Sequence, residues 1–238
     1  MEQHNARTTV GDALPEIQIP ITLQRLVMEA GANRDFSLIH HDAEVARSAG
    51  AGDAFANTFF LMGMFERLGW TQNNTIGSTS QINNFSLDWI QFWRNHRLGY
   101  QLQLAKANGY TGRLLDQGEY LMAELESFFP ETPQAASLLH GDLWNGNYSY
   151  DSEGCPVLYD PAVYYGDRET DLAMTELFGG FSTTFYASYK EAYPLDPNYK
   201  TRKILYNLYH ILNHLNLFGG SYLTQAEDMM ERLLTEIH

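Results

Sequence analysis

The stretch that most constrains this chain runs from residue 139 to residue 160. It opens with the loop His140-Gly141-Asp142-Leu143-Trp144-Asn145-Gly146-Asn147. Two short β-competent runs follow, 148–150 and 157–159, joined by Asp151-Ser152-Glu153-Gly154, which reads as a hairpin turn. On both sides the apolar residues repeat at helical spacing. Phe85, Trp89, Phe92/Trp93, His96 and Tyr100 predict a long helix to about residue 107, with Gly109 at its C-terminal cap. Further helices are predicted over 113–128, ended by Pro130, and over 169–177, 183–192, 200–218 and 223–237. Residues 71–84 read as a polar loop. A single small hairpin among so many helices makes the chain mainly α, of the α+β kind.

The 238 residues divide unevenly. All four lysines (Lys106, Lys190, Lys200 and Lys203) lie beyond residue 100, and residues 1–68 have none. This predicts two pieces, 1–68 and 69–238. The first opens with an extended run around Ile17, Ile19 and Ile21, then short helices over 22–30 and 42–49. Residues 54–68 are apolar nearly all round a helix and should be buried. No internal repeat or low-complexity tract is present.

With 29 acidic against 15 basic residues, the formal charge is −14. That balance opposes general nucleic-acid binding, which needs cations facing phosphates. A lone cysteine, Cys155, excludes an intramolecular disulfide and fits a reducing compartment. No apolar run has the length of a membrane span, and residues 1–11 lack an apolar signal core. The expectation is a cytoplasmic protein with neither nucleic acid nor membrane as partner.

Phosphoryl transfer needs a carboxylate to orient the attacking hydroxyl and oxygen ligands to hold Mg²⁺ on the nucleotide phosphates. Asp142, Asn147 five residues later, and Asp160 after the hairpin supply those parts. The bland reading is that Asp and Asn satisfy their own loop backbone. A lone Asp-x-x-x-x-Asn is usually such a turn. The His-Gly-Asp start, Trp144 and the hairpin leading to Asp160 together favour chemistry.

Taken with Tyr159-Asp160-Pro161-Ala162, Tyr165-Gly166-Asp167-Arg168-Glu169-Thr170-Asp171-Leu172 and Asn213-His214-Leu215-Asn216-Leu217-Phe218-Gly219-Gly220, the 139–147 segment resembles the fructosamine/ketosamine kinase family. The likeness covers about residues 69–238. The resemblance implies a fold similar to aminoglycoside phosphotransferases and protein kinases, here the helical C-terminal lobe. It implies Asp142 as the base, Asn147 and Asp160 as Mg²⁺ ligands, and His140 and Asp171 as groups holding the loop. Trp144 would wall the sugar site. The implied reaction is ATP-dependent phosphorylation of a ketoamine sugar adduct on a protein or small amine, at the sugar 3-hydroxyl. The product then decomposes and restores the amine. A complete kinase also carries a Gly-rich cover and a strand Lys paired to a helix Glu. Before His140 the sequence offers only Lys106, in a helix, and Gly50-Ala51-Gly52, which reads as a helix stop. The expectation is therefore an incomplete enzyme without its nucleotide lobe, with turnover orders of magnitude below an intact relative.

Residues 22–68 carry a different likeness. Gly31-Ala32-Asn33-Arg34-Asp35-Phe36-Ser37-Leu38-Ile39-His40 resembles the Asp-x-x-x-x-His segment of MaoC-type, R-specific enoyl-CoA hydratases of the hotdog fold. That likeness implies Asp35 and His40 as a dyad activating water. It stops before the strands of a hotdog sheet, so the first piece is expected to be a truncated fragment. A hydratase fragment is the alternative to the kinase reading, and a non-catalytic fusion remnant is the third. His210 and His214, four apart on one helix, could pair on a metal, but packing is the favoured reading because no third ligand is evident. Trp89, Phe92 and Trp93 read as core, and Cys155 has no activating cation nearby.

Overall fold

The computed structural model describes residues 68–130 and 136–237. Strands β1 (Asn74–Ile76) and β2 (Thr79–Gln81) form an antiparallel hairpin where the sequence predicts a polar loop. Side-chain amides hold it in place of an apolar face. Gln81 Nε2 donates to Asn74 Oδ1 (2.8 Å) and to the Ala162 carbonyl (3.0 Å), and Asn83 Nδ2 donates to Asn74 Oδ1 (2.8 Å).

Helix α1 (Trp89–Trp93) begins four residues later than its periodicity suggests, because Asp88 caps it by accepting from the Gln91 N–H at 2.8 Å. It continues through a π-helical turn (Arg94–Leu98) into α2 (Gly99–Ala107). Arg97, in that turn, is fully buried. It donates to the Ile82 carbonyl and Asn83 Oδ1, and its guanidinium lies 4.0 Å from the Tyr164 ring centroid. The cation thus ties the end of the first hairpin to the helical core. Helix α3 (Arg113–Ala123) tightens into a 3₁₀ turn (Leu125–Phe128) before Pro130.

Strands β3 (Ala136–Leu139) and β6 (Tyr164–Asp167) pair antiparallel, with Leu139 opposite Tyr164. The hairpin of β4 (Tyr148–Tyr150) and β5 (Pro156–Leu158) lies between them in the chain. Its turn is shaped by Asp151 Oδ1, which accepts from the backbone N–H of Glu153 and Cys155. Pairing of Leu139 with Tyr164 brings together the segment that leaves β3 and the one that enters β6. The 140–147 loop and Asp160 therefore hang from one end of one two-stranded sheet.

Four helices complete the description: α4 (Glu169–Leu177), α5 (Thr183–Ala192), α6 (Tyr199–Phe218) and α7 (Tyr222–Glu236). Helix α6 packs against α7, α4 and α2. Leu205, Tyr206, Leu208, Tyr209, Ile211 and Leu212 are buried along it. Trp89, Phe92 and Trp93 pack there too, as core. The core's polar groups are mostly paired. Trp89 Nε1 donates to the Tyr206 hydroxyl (3.1 Å), which donates to Asp167 Oδ2 (2.6 Å). Arg202 makes two bonds to Glu169 (2.7 and 3.0 Å), both side chains buried, which locks α6 to α4. Removing one partner of such a pair costs about 3–5 kcal/mol, because the other charge stays buried. Among the described residues, no helix is long and apolar enough to cross a membrane.

Candidate active site

The loop after β3 is held from below by Asp171 on α4. Its Oδ2 accepts from the His140 N–H (2.7 Å) and its Oδ1 from the Gly141 N–H (2.9 Å). Burial pushes the Asp171 carboxyl above the usual carboxylate range, while those two N–H groups pull it back down. His140 braces the other side. Its Nδ1 accepts from the Asp142 N–H (3.3 Å), so Nε2 carries the proton given to the Tyr159 carbonyl (3.0 Å). The His140 carbonyl in turn accepts from the Ala162 N–H at 2.8 Å. His140 and Asp171 are thus both hydrogen-bonded to the backbone of the loop.

Gly141 is where the chain passes closest to the returning strand. Its φ is +83°, and a Cβ there would lie 2.0 Å from the Ala162 carbonyl oxygen. Gly141→Ala should therefore lower stability by about 2 kcal/mol, or roughly 4–8 °C in the unfolding midpoint. An unchanged midpoint in a thermal melt would show that the loop relaxes freely.

Asn147 is buried and donates through Nδ2 to the Asp142 carbonyl (2.9 Å) and to Asp142 Oδ2 (3.1 Å). The amide N–H groups are spent on Asp142, which leaves Oδ1 as the atom free to act as an oxygen ligand. Asp160 is exposed and adopts a left-handed φ of +56°. For a non-glycine residue this costs on the order of 1 kcal/mol, and such strain collects at functional sites. Burial, first, and the Asp160 charge raise the Asp142 carboxyl, against the Asn147 bond and the charges of His140 and His214. Asp142 is therefore a better proton acceptor than an ordinary carboxylate. Asn147 Oδ1 and the Asp160 carboxylate are hard oxygen donors, the ligand type Mg²⁺ prefers.

Asp142 also lines a cavity of about 350 Å³. Trp144 and Phe178 meet edge to face on its wall at 6.1 Å. His214, on α6, lies 5.1 Å from Phe178 and 5.2 Å from Tyr222. Its Nδ1 donates to the His210 carbonyl (2.8 Å), so in the neutral ring Nε2 is an acceptor. His210 is buried beside it. Burial, with the neighbouring His214 and Arg97, pushes its imidazole down to about 3. Among the described residues no three His, Cys, Asp or Glu side chains cluster as a metal site. His210 and His214 are packing and cavity groups. The sequence does not single out Phe178 or Tyr222, and it marks His214 as a packing residue rather than part of the site. The available signal was the run of His210, His214 and Leu217 on one face of a helix stopped by Gly219-Gly220.

An aromatic cavity with a loop carboxylate at its edge, itself hydrogen-bonded to an Asn, can hold a hydroxyl group beside a proton acceptor. The family model described as fructosamine kinase matches residues 39–236, and the chain belongs to that family. A Synechocystis protein named "Probable ketoamine kinase" is 48% identical over 168 residues, covering 71% of this chain and 56% of the relative. A rice protein-ribulosamine 3-kinase, chloroplastic, is 43% identical over 166 residues, covering 70% of this chain and 48% of its own. A solved Thermobifida fusca structure carrying a fructosamine-3-kinase assignment superposes with a TM-score of 0.66 at 31% identity, over 71% of this chain and 59% of that one. The fold is thus that of the family's solved structures, and the chain spans about half the length of the curated relatives it matches.

The family match starts at residue 39, upstream of residue 69, where the resemblance seen in the sequence begins. It therefore includes His40 and part of the segment read as hydratase-like. Asp35, His40 and the helices expected over 22–30, 42–49 and 54–67 lie outside the described residues, while Leu68, expected to end the last helix, forms an antiparallel bridge with Ser86 instead.

Proposed function

We propose that this chain transfers the γ-phosphoryl group of ATP to the 3-hydroxyl of a ketosamine sugar. The supporting observation is Asp142: a carboxyl raised by burial, fixed by Asn147, at the edge of an aromatic cavity. The sugar oxygen bonds to the γ-phosphorus, the bond to ADP breaks, and Asp142 takes the hydroxyl proton. Trp144 and Phe178 wall the sugar, and His214 Nε2 accepts from one of its hydroxyls. Asp171 and His140 act through the backbone, keeping the carboxyl aimed. Asn147 Oδ1 and Asp160 would hold Mg²⁺, which offsets the charge on the nucleotide phosphates. The substrates are ketoamine adducts on proteins or small amines, with ATP as phosphoryl donor.

Without nucleotide, Mn²⁺ or Mg²⁺ should bind weakly, since such ions share ligands with substrate phosphates. Asp160→Ala should remove that binding in calorimetry, and equal affinity in wild type and variant would show the ligand assignment to be wrong. For the transfer itself, the test is a Mg-ATP and fructosamine assay with Asp142→Asn as blank.

A further inference from the structure

A second groove lies beside the Asp142 cavity, between α6 and α7, with a volume of about 560 Å³. The two are neighbours along both helices. Tyr222 lines the first and Ser221 the second, while on α6 His210 and His214 face the first and Lys203 and Asn207 the second. Asn207 is 6% exposed, yet its Oδ1 has no hydrogen-bond partner. A buried, unpaired amide oxygen is costly unless something donates to it. Asp228 and Arg232, four residues apart on α7, also line the groove. Both are exposed, and among the described residues neither forms an ion pair, so both charges are open to a ligand in the groove. Leu177, Ile204 and Met229 supply an apolar flank.

We propose that this groove receives the free α-amino-acid end of a lysine-derived ketosamine. The α-ammonium donates to Asp228 and Asn207 Oδ1, the α-carboxylate accepts from Arg232, and the alkyl chain lies on the apolar flank. The two cavities are close enough for one ligand to enter both: His214, which lines the first, and Asn207, which lines the second, are seven residues apart on α6, about 10 Å along the helix. The inference rests on the ketosamine reading above, and it makes glycated free lysine a better ligand than glycated lysine within a polypeptide, which lacks both charges.

The test is calorimetry on the full chain with Nε-fructosyl-lysine and with the same adduct blocked as Nα-acetyl and C-terminal methylamide. The free adduct should bind about tenfold more tightly, and Arg232→Ala should remove the difference. Asn207→Leu should weaken the free adduct while raising the unfolding midpoint by a few degrees, since it removes an unpaired buried amide. Equal affinity of the two adducts for the wild type, or a preference that survives Arg232→Ala, overturns the groove assignment alone. Binding of neither adduct overturns the ketosamine reading and the groove assignment with it.

Discussion

Asp142→Asn should lower turnover of ketosamine phosphorylation by about 10²–10⁴-fold, the usual contribution of a positioned general base. The replacement has nearly the same shape, so the cavity and its aromatic wall stay in place. It removes the carboxylate that burial has made a better proton acceptor. It also replaces the Oδ2 that accepts from Asn147 Nδ2 at 3.1 Å. The loop should survive, because its anchors are the bonds from His140 and Gly141 to Asp171. The substrate KM should therefore change little while kcat collapses. A parallel rise in KM, with kcat preserved, would make Asp142 a binding group and leave the base unidentified.

Acid should destabilise the fold through His210. Its ring is 1% exposed and its pKa is pushed down to about 3 from an ordinary value near 6.5. Above pH 6.5 the ring is neutral in both folded and unfolded chains and makes no difference to pH dependence. Below that, the unfolded chain takes up a proton that the folded chain refuses, so stability falls as pH drops from about 6.5 towards 3. A gap of about 3.5 units corresponds to roughly 5 kcal/mol at the acid end. Denaturant melts between pH 7 and 4 should show this slope, and a His210→Gln variant should show a shallower one. If wild type and variant lose stability in parallel, His210 is not the group that charges.

Both effects act at the joint between loop and helix, and that joint was only partly readable from sequence. The helical stretches announced themselves because their apolar residues recur every three or four positions, and two carry end signals as well, Ser182 capping α5 and Gly219 ending α6. The β4–β5 turn was equally plain, because Asp151 and Gly154 are turn residues with a mechanism. The β1–β2 hairpin was hidden because its strands are three residues each and held by Asn74, Gln81 and Asn83 rather than by alternating apolar faces. Likewise β3 and β6 are four residues each, and their pairing joins positions 25 residues apart at the inner end, Leu139 and Tyr164. No local pattern specifies such a contact. The loop carboxylate, its Asn and Asp160 became candidates because their spacing comes with His-Gly-Asp, Trp144 and the hairpin. The cavity wall could not, since Phe178, His214 and Tyr222 come together only once α4, α6 and α7 pack.

The measurement closest to the central claim is direct detection of phosphoryl transfer by the full chain. It follows ADP release and the phosphorylated sugar adduct together, with Mg-ATP and a fructosamine on a small amine. A phosphorylated ketosamine should form in step with ADP, and both products should vanish in Asp142→Asn. ADP release without a phosphorylated adduct, transfer that continues in the Asp142→Asn variant, or no transfer to any ketosamine would contradict that claim.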